Sequence, residues 1–362
     1  MISQEINLLS TSEVTLTEEE VFYIETQIKP VASIVQGSIQ LKLTDKFNVS
    51  ELTDQEVYWL RRNNRNLWEE YLNFRLLFKL YKSKKVIAEA PLYLLIEPTS
   101  VCNLSCPMCF QSDTTFIQKP YMGMMDFELF KQAVDEAAII GVKAITLASR
   151  GEPTLHPKFC EMLEYLKYKF LDIKVNTNGT KISDKIARTI IECGVNEVVF
   201  SIDAAEKEIF EELRLGAKFG EVIANVQKFA KIRGEYQNHK TLMRISGVKV
   251  NEKQNWQKFV GFWGPHFDQV GWVPAQKRWD TYNNEKNSIT NPCTLLFERI
   301  YLWHDGRTNP CDVDYKSLLS PGKFPEKSLK DLWNSGKYAE LRKTHLNLLR
   351  SEVTPCDRCG VI

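Results

Sequence analysis

From Pro91 onward the chain alternates short apolar runs with amphipathic stretches, and this alternation restricts the fold more than any other feature. The runs that have the length and composition of buried strands are 92–97, 142–148, 173–176, 197–202, 242–250 and 269–273. The intervening stretches with helical apolar spacing are 126–140, 157–170, 182–193 and 219–232. Strands that alternate with helices form parallel sheets. Six units are fewer than the eight of a closed barrel, so the sequence predicts an α/β fold containing a partial (β/α)6 barrel.

Polar residues follow three of the predicted strands. The clusters are Ser149-Arg150-Gly151-Glu152-Pro153, Asn176-Thr177-Asn178-Gly179 and Ser201-Ile202-Asp203. Each cluster alone is ordinary turn sequence. In barrels of parallel strands, however, the working residues lie at the carboxyl ends of the strands. The joint placement of the three clusters therefore favours one shared functional site.

Three cysteines, Cys102, Cys106 and Cys109, follow the first predicted strand at spacings of four and three residues. Three thiolates hold three irons of a cubane cluster, and a fourth would be needed to close it, so one iron is left open. The alternative is structural zinc, which usually takes paired C-x-x-C units or added histidines. No histidine lies near this loop in the sequence, so the spacing favours a cluster with an open iron.

This cysteine loop resembles the C-x-x-x-C-x-x-C signature of the radical S-adenosylmethionine (SAM) superfamily. The resemblance implies that the amino and carboxylate groups of SAM bind the open iron. One departure is Met108, which stands where the family usually has an aromatic residue, with Phe110 just after the third cysteine. The side of the loop that faces the adenine of SAM is expected to differ accordingly.

The cluster after the second strand resembles the family's Gly-Gly-Glu-Pro motif, which receives the amino end of SAM. Gly151 and Glu152 match this motif, whereas Arg150 replaces its first glycine and makes the local backbone less free. Asn178, in the cluster after the third strand, is expected in the same cofactor site.

The fourth strand end also resembles the family pattern. Ser201 and Asp203 stand at positions that meet the carboxylate and ribose of SAM in related enzymes, with Ala204 where a glycine is common. Arg214 is a candidate donor to the SAM carboxylate, since a guanidinium forms charge-assisted hydrogen bonds. An ion pair between Arg214 and Glu211 at the surface is the alternative interpretation.

Four further cysteines lie in the tail of the chain: Cys293, Cys311, Cys356 and Cys359. Four thiolates ligate a cluster completely, and on spacing alone a zinc ribbon is an equal alternative. The tail resembles the twitch, or shortened SPASM, extension of radical SAM enzymes, in which a helix separates the second cysteine from a C-x-x-C pair. This resemblance implies one auxiliary [4Fe-4S] cluster bound by these four residues, beside the [4Fe-4S] cluster bound by the first three and SAM.

These patterns divide the chain into residues 1–88, a mainly helical cap or recognition segment, residues 89–275, the barrel, and residues 276–362, a SPASM/twitch-like auxiliary-cluster domain. In the first segment, Thr17 precedes three glutamates and predicts a short helix, and helical apolar spacing runs for about thirty residues from Ser50. This segment lacks the clear β-hairpin signals that a winged-helix leader binder would show. Cys160 and Cys193 lie in predicted helices and are interpreted as small buried hydrophobic residues.

Composition limits the partners. The 47 basic and 46 acidic residues give a net charge of +1, which favours neither nucleic acid nor an anionic membrane surface. No run of eighteen apolar residues and no secretory signal occurs, and the cysteines group at metal-ligand spacings, so a cytoplasmic protein is expected.

The resemblance implies hydrogen abstraction from carbon by a 5′-deoxyadenosyl radical, with an electron donor such as flavodoxin or ferredoxin. The auxiliary cluster has no open iron, so a redox role is expected, and Asp312 is the candidate catalytic base because it follows Cys311. We expect oxidation (dehydrogenation) or epimerisation of a hydroxyl-bearing small molecule such as a sugar, aminocyclitol or nucleotide sugar. The alternatives are peptide or protein maturation, for which residues 1–88 would grip a leader, and a non-catalytic zinc-binding interaction protein.

Overall fold

The computed structural model describes residues 7–11, 14–31, 33–36, 39–42, 46–275 and 280–361. The strands are β1 (Asn7–Ser10), β2 (Ser33–Gln36), β3 (Ile39–Lys42), β4 (Tyr93–Ile96), β5 (Ala144–Leu147), β6 (Asp172–Thr177), β7 (Glu197–Ser201), β8 (Leu242–Lys249), β9 (Gln269–Pro274), β10 (Arg299–Leu302), β11 (Arg307–Asn309) and β12 (Gly322–Lys323). The helices are α1 (Glu18–Gln27), α2 (Asp54–Arg62), α3 (Trp68–Lys84), α4 (Phe127–Ile139), α5 (Phe159–Leu166), α6 (Asp184–Glu192), α7 (Lys207–Leu213), α8 (Phe219–Gly234), α9 (Trp256–Trp263), α10 (Leu295–Glu298), α11 (Leu329–Trp333) and α12 (Gly336–Leu346).

Strands β4 to β9 lie side by side in chain order, and each pairs in parallel with the next. Each of them falls on one of the six predicted apolar runs. Their apolar side chains and those of the helices between them form one continuous core. The predicted partial (β/α)6 barrel is therefore confirmed.

The connecting helices begin and end where the sequence signals lie. At the start of α4, the Asp126 carboxylate accepts hydrogen bonds from the amides of Glu128 (2.9 Å) and Leu129 (3.1 Å). At its end, Gly141 has φ +89°, a conformation that glycine adopts at little cost. Helices α7 and α9 were not predicted.

The tail of the chain extends the barrel sheet. Strand β10 pairs in parallel with β4, and β11 and β12 add to it as antiparallel strands, while β1 pairs with β9 at the other edge. Among the described residues, these ten strands form a single sheet. This continuity, which no local sequence pattern indicates, places the polypeptide around the tail cysteines beside the barrel.

The N-terminal segment contains both helices and strands. Thr17 caps α1 as predicted, since its hydroxyl accepts from the amide of Glu20 (3.3 Å) and the Glu20 carboxylate accepts from the amide of Thr17 (2.7 Å). Strands β2 and β3 pair as an antiparallel hairpin. The sequence gives no clear signal for this hairpin, because strands of four residues are too short for a reliable alternating pattern.

Helices α2 and α3 close the amino-terminal end of the barrel. The Trp59 indole N–H donates to the carbonyl oxygen of Leu171 (3.1 Å), and the Tyr58 hydroxyl donates to that of Thr241 (3.3 Å). The rings of Trp59 and Tyr71 stack with centroids 3.7 Å apart. The predicted helical spacing is thus divided between two helices, and both pack against the amino-terminal end of the barrel. No helix in the described part of the chain combines the length and apolar character that a membrane span requires.

Candidate active site

A cavity of about 270 Å³ lies at the carboxyl ends of strands β4 to β8. It brings together nine of the residues that the sequence singled out: Cys102, Cys106, Cys109, Gly151, Glu152, Asn178, Ser201, Arg214 and Asp312. A larger cavity, of about 570 Å³, lies at the opposite end of the barrel and contains none of them. The first cavity is the better candidate site, because thiols, carboxylates and a guanidinium converge there where the strands end.

The cysteine loop forms a compact turn on one side of this cavity. The amide of Cys109 donates to the carbonyl oxygen of Cys106 (3.0 Å), which also accepts from the Ser112 hydroxyl (2.8 Å). Burial raises the pKa of Cys102 to about 11 and that of Cys109 to about 12, with smaller contributions from neighbouring thiols. Thiolates in such a setting need cations to compensate their charge, which the irons of a cluster provide. The three residues therefore fit a cluster-binding loop.

Gly151 and Glu152 connect the ends of β5 and β6. A side chain at Gly151 would meet the carbonyl oxygens of Thr99 and Val101 at 2.4 Å, so only glycine fits. The Glu152 carboxylate is buried and accepts from the hydroxyls of Thr154 (2.7 Å) and Thr177 (2.8 Å). Burial raises the pKa of this carboxyl despite these hydrogen bonds. Through these hydrogen bonds the Glu152 carboxylate orients the loops around the cavity.

Asn178 joins the same network to the cysteine loop. Its amide donates to the Glu152 carboxylate (2.6 Å), and its side-chain nitrogen donates to Asn103 Oδ1 (3.0 Å) and lies 3.9 Å from the Cys102 sulfur. Ser201 reaches the cavity from the end of β7. The ends of β5 and β6 are in this way tied to the cysteine loop.

Arg214 lies on the cavity wall, whereas Asp203 lies behind it. The Asp203 carboxylate is fully buried and accepts from Arg214 Nε (2.5 Å) and from the amide of Val248 (2.8 Å). Arg214 is therefore paired with Asp203, and the alternative pairing with Glu211 was wrong. Glu211 instead accepts from the amide of Phe219 (3.1 Å). Asp203 is placed to hold the guanidinium, with Arg214 as the group that faces the cavity.

The structure also gathers the four tail cysteines. Cys293 and Cys356 pack against the apolar cluster of Leu296, Phe297, Leu319 and Leu341. Burial raises the pKa of Cys293, Cys311 and Cys356. At least one other tail cysteine raises the pKa of each of these thiols further. The buried Arg350 lowers the pKa of Cys293 and Cys356 and donates to the carbonyl oxygen of Cys359 (3.0 Å). Arg350 was not among the residues that the sequence patterns singled out.

Within the part of the chain that the structure describes, no three Cys, His, Asp or Glu side chains converge tightly enough to share one metal ion. A set of four cysteines is a ligand set for a four-iron cluster, with one thiolate at each iron, and also for a zinc ion with four sulfur ligands.

Asp312 lies on the cavity wall directly after Cys311. Cys311 packs against a small apolar cluster that includes Leu95 and Ala148, and both of these residues also line the cavity. One layer of side chains therefore separates a tail cysteine from the candidate site, and the carboxylate next to it reaches the same space as the cysteine loop.

Cys160 and Cys193 are buried, with 7% and 6% of their surfaces exposed, as predicted. Cys160 lies in α5 and Cys193 directly follows α6, and neither lines the candidate site. Their positions give no support to a redox-neutral epimerisation in which one of these thiols returns a hydrogen atom.

Glu97 and Arg150 form a buried ion pair at the edge of the site. In the sequence, the only indication of this pair is that Arg150 replaces a glycine of the family motif.

Comparison with known proteins agrees with the two cysteine groups. A family model described as the radical SAM superfamily matches residues 96–260, and a SPASM model described as an iron–sulfur cluster-binding domain matches residues 293–360. A relative from Pyrococcus furiosus, the tungsten-containing aldehyde ferredoxin oxidoreductase cofactor-modifying protein, is 33% identical over 170 residues, which cover 45% of each chain. The chain thus spans about half the length of this curated relative.

Two solved structures share the fold. BtrN in complex with AdoMet and 2-DOIA has a TM-score of 0.55 and 17% identity, and the match covers 76% of this chain and 95% of that one. Streptococcus suis SuiB bound to the precursor peptide SuiA has a TM-score of 0.56 and 16% identity, and the match covers 89% of each chain.

Proposed function

Because this chain belongs to the radical SAM superfamily and carries a C-terminal SPASM iron–sulfur domain, we propose that it oxidises a peptide or protein substrate. The proposed reaction begins with removal of a hydrogen atom from carbon and ends with loss of a second electron and a proton. The observation that carries the proposal is the cavity wall shared by the cysteine loop and Asp312.

The two cysteine groups fit two clusters. Cys102, Cys106 and Cys109 would hold a [4Fe-4S] cluster with one open iron, and the four tail cysteines would hold a second, fully ligated cluster. When bound, the clusters and SAM supply hydrogen abstraction by a 5′-deoxyadenosyl radical and an acceptor for one electron. A one-electron donor such as flavodoxin or ferredoxin is the proposed partner.

The side chains around the cavity provide position. Arg214, held by Asp203, presents a guanidinium to an anionic group such as the carboxylate of SAM. Gly151 allows the close approach of the Thr99–Val101 backbone, which leads into the cysteine loop. Glu152 keeps the loops after β5 and β6 in register through its hydrogen bonds to Thr177 and Asn178. Precise placement of this kind accounts for a large share of catalysis.

Asp312 is the proposed base. In such an oxidation the substrate would give up one hydrogen atom, one electron and one proton, so that a new double bond replaces two bonds to hydrogen. The cofactors held by the two cysteine groups would accept the hydrogen atom and the electron, and the Asp312 carboxylate would accept the proton. The carboxylate lies beside Cys311, which places proton and electron acceptors next to each other.

The comparisons favour a peptide over a small molecule. The match to SuiB covers 89% of this chain, whereas the match to BtrN covers 76%. Since SuiB was solved with a precursor peptide and BtrN with 2-DOIA, we infer a peptide substrate and propose that residues 1–88 contribute to its binding.

The test is co-expression of the enzyme with each short peptide encoded beside its gene, followed by intact-mass spectrometry. We expect one peptide to lose the mass of two hydrogens, and the Cys102→Ala/Cys106→Ala/Cys109→Ala variant to leave it unchanged. Unmodified peptides, together with oxidation of a sugar or aminocyclitol by the purified enzyme, would instead establish the small-molecule reaction.

A further inference from the structure

Arg150 and Glu97 form a fully buried ion pair between the ends of β5 and β4. Arg150 Nε lies 2.5 Å from Glu97 Oε2 and Nη2 lies 2.5 Å from Oε1, a bidentate arrangement with both side chains 0% exposed. Burial alone would raise the pKa of Glu97, but the Arg150 guanidinium and hydrogen bonds from Arg150 and His304 lower it to about 2. The Glu97 carboxylate is therefore charged, and the Arg150 guanidinium compensates its charge.

The same guanidinium also binds the tail. Arg150 Nη1 donates to the carbonyl oxygen of Tyr315 (2.8 Å), and the guanidinium lies 4.3 Å from the centre of the Trp303 ring. His304 Nδ1 lies 3.0 Å from Glu97 Oε1, the oxygen that also binds Arg150 Nη2. We name Glu97, Arg150, His304 and Tyr315 the Arg150 clamp, because one side chain joins two barrel strands to the tail.

Tyr315 in turn packs on the cysteine loop. Its ring stacks on Phe110, which follows Cys109, with centroids 5.2 Å apart, and its hydroxyl donates to Asp113 Oδ2 (2.9 Å). Lys316 forms an ion pair with the same carboxylate (2.7 Å). Tyr315 lies three residues after Asp312, so the contact that aligns the tail with the cysteine loop is close to the proposed base.

The backbone before Arg150 is strained. Ser149 has a backbone φ of +112°, a value that residues other than glycine rarely adopt. Such strain persists where surrounding contacts determine the conformation, and it is concentrated at functional sites. Here the Arg150 amide donates to Glu97 Oε2 (3.3 Å), and the Arg150 carbonyl oxygen accepts from Gln111 of the cysteine loop. The ion pair thus holds the chain in a conformation that it would otherwise leave.

We propose that the Arg150 clamp is a positioning device that holds the segment 311–319 against the cysteine loop and keeps Asp312 in the candidate site. Arg150 acts through Tyr315 and is a positioning residue. The catalytic consequence of this inference rests on the proposed function. It is that hydrogen abstraction remains coupled to the second oxidation step.

The test uses the Glu97→Gln/Arg150→Met double variant of the reconstituted enzyme, because removing both charges leaves neither buried alone. The matched control is Arg233→Met/Asp268→Asn, which removes a partly buried ion pair at the opposite end of the barrel. Two quantities are measured: backbone hydrogen exchange of residues 311–319 by mass spectrometry, and the ratio of oxidised product to 5′-deoxyadenosine. Iron content is measured in each sample.

In the double variant we expect about tenfold faster exchange in 311–319 and a product ratio lower by about 10- to 100-fold, with iron content retained. The control should leave both quantities unchanged. Exchange at the wild-type rate would overturn the clamp, and a wild-type product ratio in a loosened tail would overturn its catalytic consequence.

Arg150→Lys provides a second measurement if the double variant does not fold. Lysine keeps the charge beside Glu97 but lacks the fork that also reaches Tyr315. Faster exchange in 311–319 of this variant supports the clamp, and wild-type exchange overturns it. The exchange measurement requires no substrate, so it decides the clamp even where no oxidised peptide is found.

Discussion

Asp312 is the residue at which the proposed proton and electron transfers meet. In Asp312→Asn the side chain keeps its size but loses its basicity, so we expect the radical step to continue and product formation to slow by about 10²- to 10⁴-fold. The measurement is transfer of deuterium from labelled substrate into 5′-deoxyadenosine, recorded together with the oxidised product. The variant should transfer deuterium and yield little product.

Iron content and SAM binding serve as controls for Asp312→Asn, since Asp312 is proposed as a ligand of neither. Product formation at the wild-type rate would show that another group removes the proton. A collapse of 5′-deoxyadenosine formation with both clusters present would show that Asp312 positions the substrate.

At the scale of single residues, the sequence indicated which residues belong to the site better than it indicated which side chains pair with each other. Arg214 was recognised as a candidate anion-binding group, but its partner Asp203 lies eleven residues away and is brought to it by the fold. Arg150 stood out because it replaces a glycine, whereas its bond to Tyr315 spans 165 residues. Such long-range pairings depend on strand order and register, which no local pattern contains.

At the scale of elements, the two cysteine groups make a separable prediction. The reconstituted wild type should carry about eight irons per chain, because each cubane contributes four. Replacing Cys102, Cys106 and Cys109 by Ala should remove about half of them and abolish SAM cleavage. Replacing the four tail cysteines by Ala should remove the other half and leave the thiols of the cysteine loop in place. Iron and acid-labile sulfide assays give both numbers.

The Cys160→Ala/Cys193→Ala variant is the matched control for this experiment, since it removes buried thiols that lie outside both groups. It should retain all the iron. Zinc in place of iron in the tail of the anaerobically purified protein would contradict the assignment of the second group.

Elements with a strong period were predictable and short ones were not. The six barrel strands were recognised because each is a buried apolar run between helical stretches. The hairpin β2–β3 was missed because its strands have four residues each. Strand β10 was missed because its pairing with β4 joins residues that are about two hundred positions apart in the chain.

At the scale of the whole molecule, the N-terminal segment shares a core with the barrel. Residues of α1, α2 and α3 form one apolar cluster with Ala144 of β5, and Leu171 and Tyr93 pack against it. Gln55 on α2 donates to the Glu197 carboxylate on β7 (2.5 Å). A segment that shares a core with the barrel should unfold together with it. We propose that the same segment also contributes to peptide binding.

Trp59→Ala tests this integration. Trp59 is 5% exposed, stacks on Tyr71 and donates to the carbonyl oxygen of Leu171, so its truncation leaves a cavity and an unpaired carbonyl. We expect the free energy of unfolding to fall by about 3–5 kcal/mol, with a single denaturant transition that moves as a whole. Phe22→Ala is the matched control: this aromatic residue on α1 is 64% exposed, so its loss should change the free energy by less than about 0.5 kcal/mol. If Trp59→Ala instead produced an early transition of residues 1–88 alone, with the barrel transition unmoved, the segment would be an independent module, because only a shared core makes a substitution at one end destabilise the entire fold.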